Sequence, residues 1–177
     1  MTDQASLQAA IHEDVVLQAY DARWPALFEA ERERLLSLFP GAFIAIEHMG
    51  STAVPGLAAK PVIDILAGVE SMAAARALVG PLCANGYTTS AEFNAALADR
   101  QWLMRWAEGH RTHHLHLVVH GGAVWVQRLR FRDALRGDAA LAARYAALKA
   151  GLAAQYPNDR EAYTEAKAVF VRSVCES

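Results

Sequence analysis

The chain lacks the features that would take it into a membrane, out of the cell or onto nucleic acid. Hydrophobic residues make up 54% of its 177 positions. Much of that is alanine, however, and no uninterrupted apolar run reaches the roughly 18 residues that a membrane-spanning helix needs. The first residues, Met1-Thr2-Asp3-Gln4, have neither the basic start nor the apolar stretch of a secretory signal. Cys83 and Cys175 stand alone, without CxxC or framework spacing, so a reducing, cytoplasmic setting is expected. A formal net charge of −2 argues against broad nucleic-acid binding. No aromatic–basic interleaving marks the strand-like runs either. Internal repeats and low-complexity linkers are missing too. The expectation is a tail or short helix over residues 1–13 and one domain over 14–177, with a core over about 14–122 and helices over about 123–177.

What is present reads as strands in the first two-thirds and helices at the end. Val15-Val16-Leu17 reads as a short strand before the turn Asp21-Ala22-Arg23. From Trp24 the spacing is helical, with Pro25 in the first turn and Pro40-Gly41 as the stop. Apolar runs at Phe43–Ile46 and Val62–Ala67 read as strands, and Met72, Ala75, Leu78, Val79 and Leu82 as a second helix ending near Asn85-Gly86. Tyr87-Thr88-Thr89 and Gln101 to Trp106 are strand candidates, with a helical option for Phe93 to Ala98. His114 to Val119 is a clear strand. Gly121-Gly122 allows a hairpin turn or the break before a helix; Trp125, Leu129, Arg132 and Leu135 at helical spacing favour the helix. Two more helices follow, one capped by Asp138 and one starting after Pro157-Asn158-Asp159.

The most informative stretch is Ile46-Glu47-His48-Met49-Gly50-Ser51-Thr52-Ala53-Val54-Pro55-Gly56-Leu57-Ala58-Ala59-Lys60-Pro61-Val62-Ile63-Asp64-Ile65-Leu66. A strand enters a Gly50-Ser51 corner, and a loop leads into an apolar strand carrying one carboxylate, Asp64. A corner of this kind lets backbone N–H groups approach an anion. An ionised carboxylate among Ile, Val and Leu needs a cation, a donor or a metal, because desolvating it costs several kcal/mol, roughly. The order of turn, loop and acidic strand resembles the core of the nucleotidyltransferase superfamily. There the turn holds a triphosphate, and Asp-x-Asp or Asp-x-Glu on the strand binds divalent metal. Here the second acidic position is Leu66, so two-metal catalysis lacks one ligand. One-metal binding, binding without turnover, or a metal site completed elsewhere stay open.

His113-His114-Leu115-His116 is the candidate for completing it, since His114 and His116 share a strand face. Arg111 is a candidate phosphate-binding cation, and Lys60 a candidate to neutralise Asp64 or contact phosphate. The plainer alternatives are histidines lining a wall, a solvated arginine and a loop lysine. Of Glu47 and His48, only one can face the cleft. In the helical tail, Arg130, Arg132, Asp133, Arg136, Lys149 and Lys167 form a charged set, within which Arg132-Asp133 reads as an ion pair or cap.

Together these residues resemble the GrpB family of small bacterial proteins, which also occurs fused behind dephospho-CoA kinase. The resemblance runs through Tyr20-Asp21-x-x-Trp24-Pro25-x-x-Phe28, the long motif above, His113 to Leu117, Phe131-Arg132-Asp133-x-Leu135-Arg136, Tyr145-Ala146-x-Leu148-Lys149 and Tyr163-x-x-x-Lys167. It implies an α+β fold: a nucleotidyltransferase-like mixed sheet flanked by helices, with a helical C-terminal extension. It also implies that Ser51, Lys60, Asp64, His114, His116, Arg132 and Asp133 gather at one cleft. The expected roles are Asp64 and His116 in catalysis, Gly50, Ser51, Lys60, Arg111 and Arg132 in ligand binding, and Asp64, His114 and His116 as metal ligands. Mg²⁺ is the expected ion, with Mn²⁺ or Zn²⁺ open. The expected ligand is a nucleotide or related phosphorylated small molecule, bound with or without transfer of a nucleotidyl group to a small acceptor. A coenzyme A precursor is the alternative ligand. No membrane partner is expected, and a homodimer is left open.

Overall fold

Strand alternation, and the choice of which face each helix covers, build the molecule. The computed structural model describes residues 12–177 together with Gln4, Ala5, Gln8 and Ala9. The expectation for residues 1–13 therefore falls largely outside the described residues. The mixed sheet has the strands β1 (Ala45–Met49), β2 (Ile63–Val69), β3 (Gln101–Ala107) and β4 (His110–Val119), in the order β1-β2-β4-β3. β1 runs antiparallel to β2, β2 parallel to β4, and β3 antiparallel to β4. β2 and β4 are thus interior, which is why both read as apolar runs.

One face of the sheet, with Ile63, Ile65, Ala67, Leu103, Leu115 and Leu117, packs against the helices α1 (Trp24–Leu38) and α2 (Met72–Ala84) through Trp24, Phe28, Leu35, Ala75 and Leu82. The opposite face carries the other half of each strand. There Met49, Leu66 and Val118 pack against Trp125 of α4 (Ala123–Gly137), while α3 (Ala91–Ala95) lies beside β3. Gly68 leaves the space for this, since a Cβ there would meet the Trp125 ring at 2.9 Å. The helices α5 (Ala139–Gln155) and α6 (Arg160–Glu176) complete the extension, sharing an apolar cluster of Val54, Leu57, Leu135 and Tyr145. Asp138 and Asp159 cap them by accepting from the Leu141 and Ala162 N–H groups at 3.0 Å.

The structure corrects the reading in several places. Val15–Leu17 is not a strand: Gln18 makes an isolated bridge to Ala59, and the segment lies by the loop before β2, with no sheet edge to extend. Tyr87–Thr89 is reduced to a bridge between Thr88 and Met104. Side chains replace the ladder there, as Asn94 Oδ1 accepts from Trp102 N–H at 2.8 Å and Thr89 donates to the Trp102 carbonyl. The helical option over Phe93–Ala98 shrinks to the short α3. β4 starts four residues earlier than expected, at His110, because β3 pairs with it down to Ala107.

Candidate functional site

Parallel pairing in register sets Asp64 of β2 beside His114 of β4 and Leu66 beside His116. Side chains of paired residues share a face, so the carboxylate and both imidazoles converge. His114 Nδ1 lies 3.0 Å from Asp64 Oδ1. One ligand atom from each of Asp64, His114 and His116 lies within 4.8 Å of the others, a grouping that could hold a metal ion. Gly50, at φ 73°, makes this possible from below, since a Cβ on it would sit 2.6 Å from Asp64 Oδ2.

Proton positions follow from the donors. Arg111 Nη1 lies 3.1 Å from His114 Nε2. A guanidinium only donates, so Nε2 holds a lone pair, the ring proton sits on Nδ1, and Nδ1–H donates to Asp64. Burial pushes the Asp64 pKa up. The hydrogen bond from His114, with the Lys60 charge nearby, opposes this and holds the carboxyl below the usual range. Its side chain is 29% exposed, as fits a group on the floor of a cleft. Burial drives His116 well below its ordinary value, so it is neutral, and its Nδ1 is buried with no hydrogen-bond partner among the described residues.

Three lysines surround this group. Lys60, from the loop before β2, and Lys167, from α6, stand over the Tyr163 ring at 5.6 and 4.4 Å from its centroid. Lys149 of α5 is 2% exposed, donates to the Ala58 carbonyl and stands 5.1 Å over the Tyr145 ring. Burial, then repulsion from Lys167, lowers Lys60 to about 8 and Lys149 to about 7. Lys167 is also lowered to about 8, by burial first. All three feel Asp64, and Lys60 feels Glu13 as well. Positive groups gathered round so little negative charge favour a polyanion.

The fold thus brings together Asp64, His114, His116 and Lys60, with Gly50 below and Ser51 next to it in the same corner. Arg111 is 1% exposed and stands behind His114, paired with Glu13, rather than open to a ligand. Arg132 ties α4 to β1: Nη1 donates to Glu47 at 2.8 Å and to the His48 carbonyl at 2.9 Å, and Nε to Asp133 at 2.8 Å. The Arg132–Asp133 ion pair is as read from sequence. Glu47 faces the Asp64 side, while His48 faces α1, stacks on Phe28 and bonds Thr52. Lys149 and Lys167, which the sequence put in a charged set and in the motifs running from Tyr145 and Tyr163, belong to the cluster. The signal was their spacing of four from Tyr145 and Tyr163, on the inward stripe of each helix.

The family described as GrpB protein matches residues 14–177. The glutamate-rich protein GrpB of Alkalihalophilus pseudofirmus is 33% identical, over 91% of this chain and 94% of that protein. The UPF0157 protein YqkA of Bacillus subtilis is 37% identical over 89% of this chain, which spans only 45% of that protein. A dephospho-CoA kinase of Mycolicibacterium paratuberculosis is 32% identical over 86% of this chain and 43% of its own length. The crystal structure of conserved protein GrpB from Enterococcus faecalis superposes with a TM-score of 0.80 at 32% identity, covering 91% of this chain and 95% of that one. With its residues, its sheet and its relatives in agreement, this chain belongs to the GrpB family.

Proposed function

We propose that this protein binds a phosphate-bearing, nucleotide-like ligand together with a divalent metal ion and transfers a nucleotidyl group from it to a small acceptor. The observation that carries this is the convergence of Asp64, His114 and His116 within 4.8 Å beside Lys60, Lys149 and Lys167. The donor set fits an ion: the Nδ1 of neutral His116 is buried and has no hydrogen-bond partner among the described residues. Two imidazoles and one carboxylate suit Zn²⁺ or Mn²⁺ better than Mg²⁺, which prefers oxygen ligands. When bound, such an ion supplies charge neutralisation to phosphate oxygens. The lysines orient and neutralise the remaining phosphate charge. A cytoplasmic setting, where nucleotides are plentiful, fits this reading.

A second reading, a binding module without turnover, rests on Leu66. It is 0% exposed and packed with Met49, Val118 and Trp125, so the strand offers no second carboxylate beside Asp64. The relative named dephospho-CoA kinase makes coenzyme A precursors the ligands to try first under this reading.

The test is a thermal-shift and calorimetric screen with Zn²⁺, Mn²⁺ and Mg²⁺, each with nucleotides, coenzyme A precursors and inorganic triphosphate. A ligand at a hundred times its Kd adds about 2.7 kcal/mol of stability. Metal-dependent binding with pyrophosphate release supports transfer. Binding without release under any acceptor supports the module, and no heat or shift with any combination overturns both.

A further inference from the structure

We infer that Arg128 of α4 binds the phosphates of the ligand directly, and that the site takes a polyphosphate rather than a single phosphoryl group. This rests on the anionic ligand proposed above. Trp125, Arg128, Arg132 and Leu135 recur at helical spacing on one stripe of α4. Three of them are buried, Trp125 against Leu66 and Val118 of the sheet and Arg132 on the His48 carbonyl of β1. Arg128, between these two, is exposed. An exposed side chain in the middle of a packed stripe marks a place where helix and sheet part. The guanidinium lies near enough to His116 of β4, Tyr145 of α5 and Lys167 of α6 for its charge to act on each, and Asp64 acts on it in turn. The opening is therefore the one over Asp64.

The fold leaves this charge unanswered. Among the described residues Arg128 makes no hydrogen bond or ion pair, whereas Arg132, one turn on, makes three hydrogen bonds. Of the carboxylates that act on Arg128, Asp64 is engaged by His114 and Asp99 by Arg100, each at 3.0 Å. A guanidinium stays charged at any working pH and matches two phosphate oxygens at once, so an arriving phosphate is the partner it suits. The length of the ligand follows from the neighbours. Lys60 feels Lys167, Lys167 feels Arg128, and Arg128 feels Arg100. Positive groups thus succeed one another from the loop before β2, through α6 and α4, to the residue before β3. A single phosphoryl group meets only part of this row, whereas a chain of them answers it in turn.

The test is calorimetric titration of inorganic triphosphate and of orthophosphate, with Mn²⁺ present, into the full chain as wild type, Arg128→Gln, Arg128→Lys, Lys167→Met and Arg130→Gln. Arg130 is also exposed on α4 but stands about 200° round the helix, so its variant removes the same charge away from the opening. Wild type is expected to bind triphosphate more tightly than orthophosphate. Arg128→Gln should weaken triphosphate about tenfold or more, with Arg128→Lys recovering part of the loss and Arg130→Gln staying within about twofold. The salt dependence of binding should become shallower in Arg128→Gln while its urea unfolding matches wild type. Unchanged triphosphate affinity in Arg128→Gln while Lys167→Met loses it, or equal losses in Arg128→Gln and Arg130→Gln, overturns the role of Arg128 and leaves the ligand site standing. A matching loss of stability in Arg128→Gln overturns it too, and orthophosphate bound as tightly as triphosphate overturns the polyphosphate. Neither probe bound by wild type removes the ligand site and this inference together.

Discussion

Asp64 Oδ2 occupies the space where a side chain on Gly50 would begin: a Cβ there would lie 2.6 Å from it. Met49, the neighbour of Gly50, is the register partner of Asp64, so the corner after β1 folds over the carboxylate it pairs beside. Gly50 also holds φ 73°, a backbone region that side chains resist. Gly50→Ala is expected to cost about 1–3 kcal/mol in urea unfolding, from strained backbone and the clash together. It should also weaken metal binding by displacing Asp64. Wild-type metal affinity in a folded Gly50→Ala protein would show that the corner does not place the carboxylate.

Lys149 sets a pH dependence. Its folded pKa of about 7 lies below the ordinary 10.5. Between those values the unfolded chain holds a proton that the folded chain lacks, so stability rises with pH, and the penalty is fully present below about 7. Wild type is expected to gain about 1–2 kcal/mol over Lys149→Met between pH 7 and pH 9 in paired urea denaturations. Parallel pH profiles would show that the amine is charged throughout.

Arg132 joins α4 to β1 while 9% exposed. Arg132→Met strips the donor from the His48 carbonyl and from Glu47. It should lower stability by about 1–3 kcal/mol while metal and triphosphate affinities stay within about twofold. The reverse pattern, affinity lost at unchanged stability, would return Arg132 to the ligand site.

Leu66→Asp restores the Asp-x-Asp spacing on β2, yet it places a carboxylate among Met49, Val118 and Trp125. The expected outcome is a loss of about 4 kcal/mol or more on thermal or urea unfolding, with no gain in pyrophosphate release. A stable Leu66→Asp protein with raised turnover would mean that the strand accepts a two-carboxylate site.

Much of the fold was legible because the signals were local. Pro25 after Trp24, the caps Asp138 and Asp159, and unbroken apolar runs at Ile63 and Leu115 each act within a few residues. The failures at Val15–Leu17 and Tyr87–Thr89 share another cause. Whether a short β-prone run becomes a strand depends on a free edge to pair with, and Asn94 and Thr89 had already taken up part of the β3 edge with side chains.

For the site, the sequence by itself determined the residue types and their faces. Alternation puts His114 with His116 and Asp64 with position 66, and a lone carboxylate in an apolar strand demands a partner. Tertiary structure alone decided who that partner is. Parallel register between β2 and β4 matched Asp64 to His114 across 50 residues, and the packing of α5 and α6 turned Lys149 and Lys167 inward. Arg111 was read as a free phosphate cation, yet folding buried it between Glu13 and His114. The physical reason is range. Dihedral preference and periodicity act along the chain, whereas hydrogen bonds and charges act through space, between residues that only the folded chain brings together.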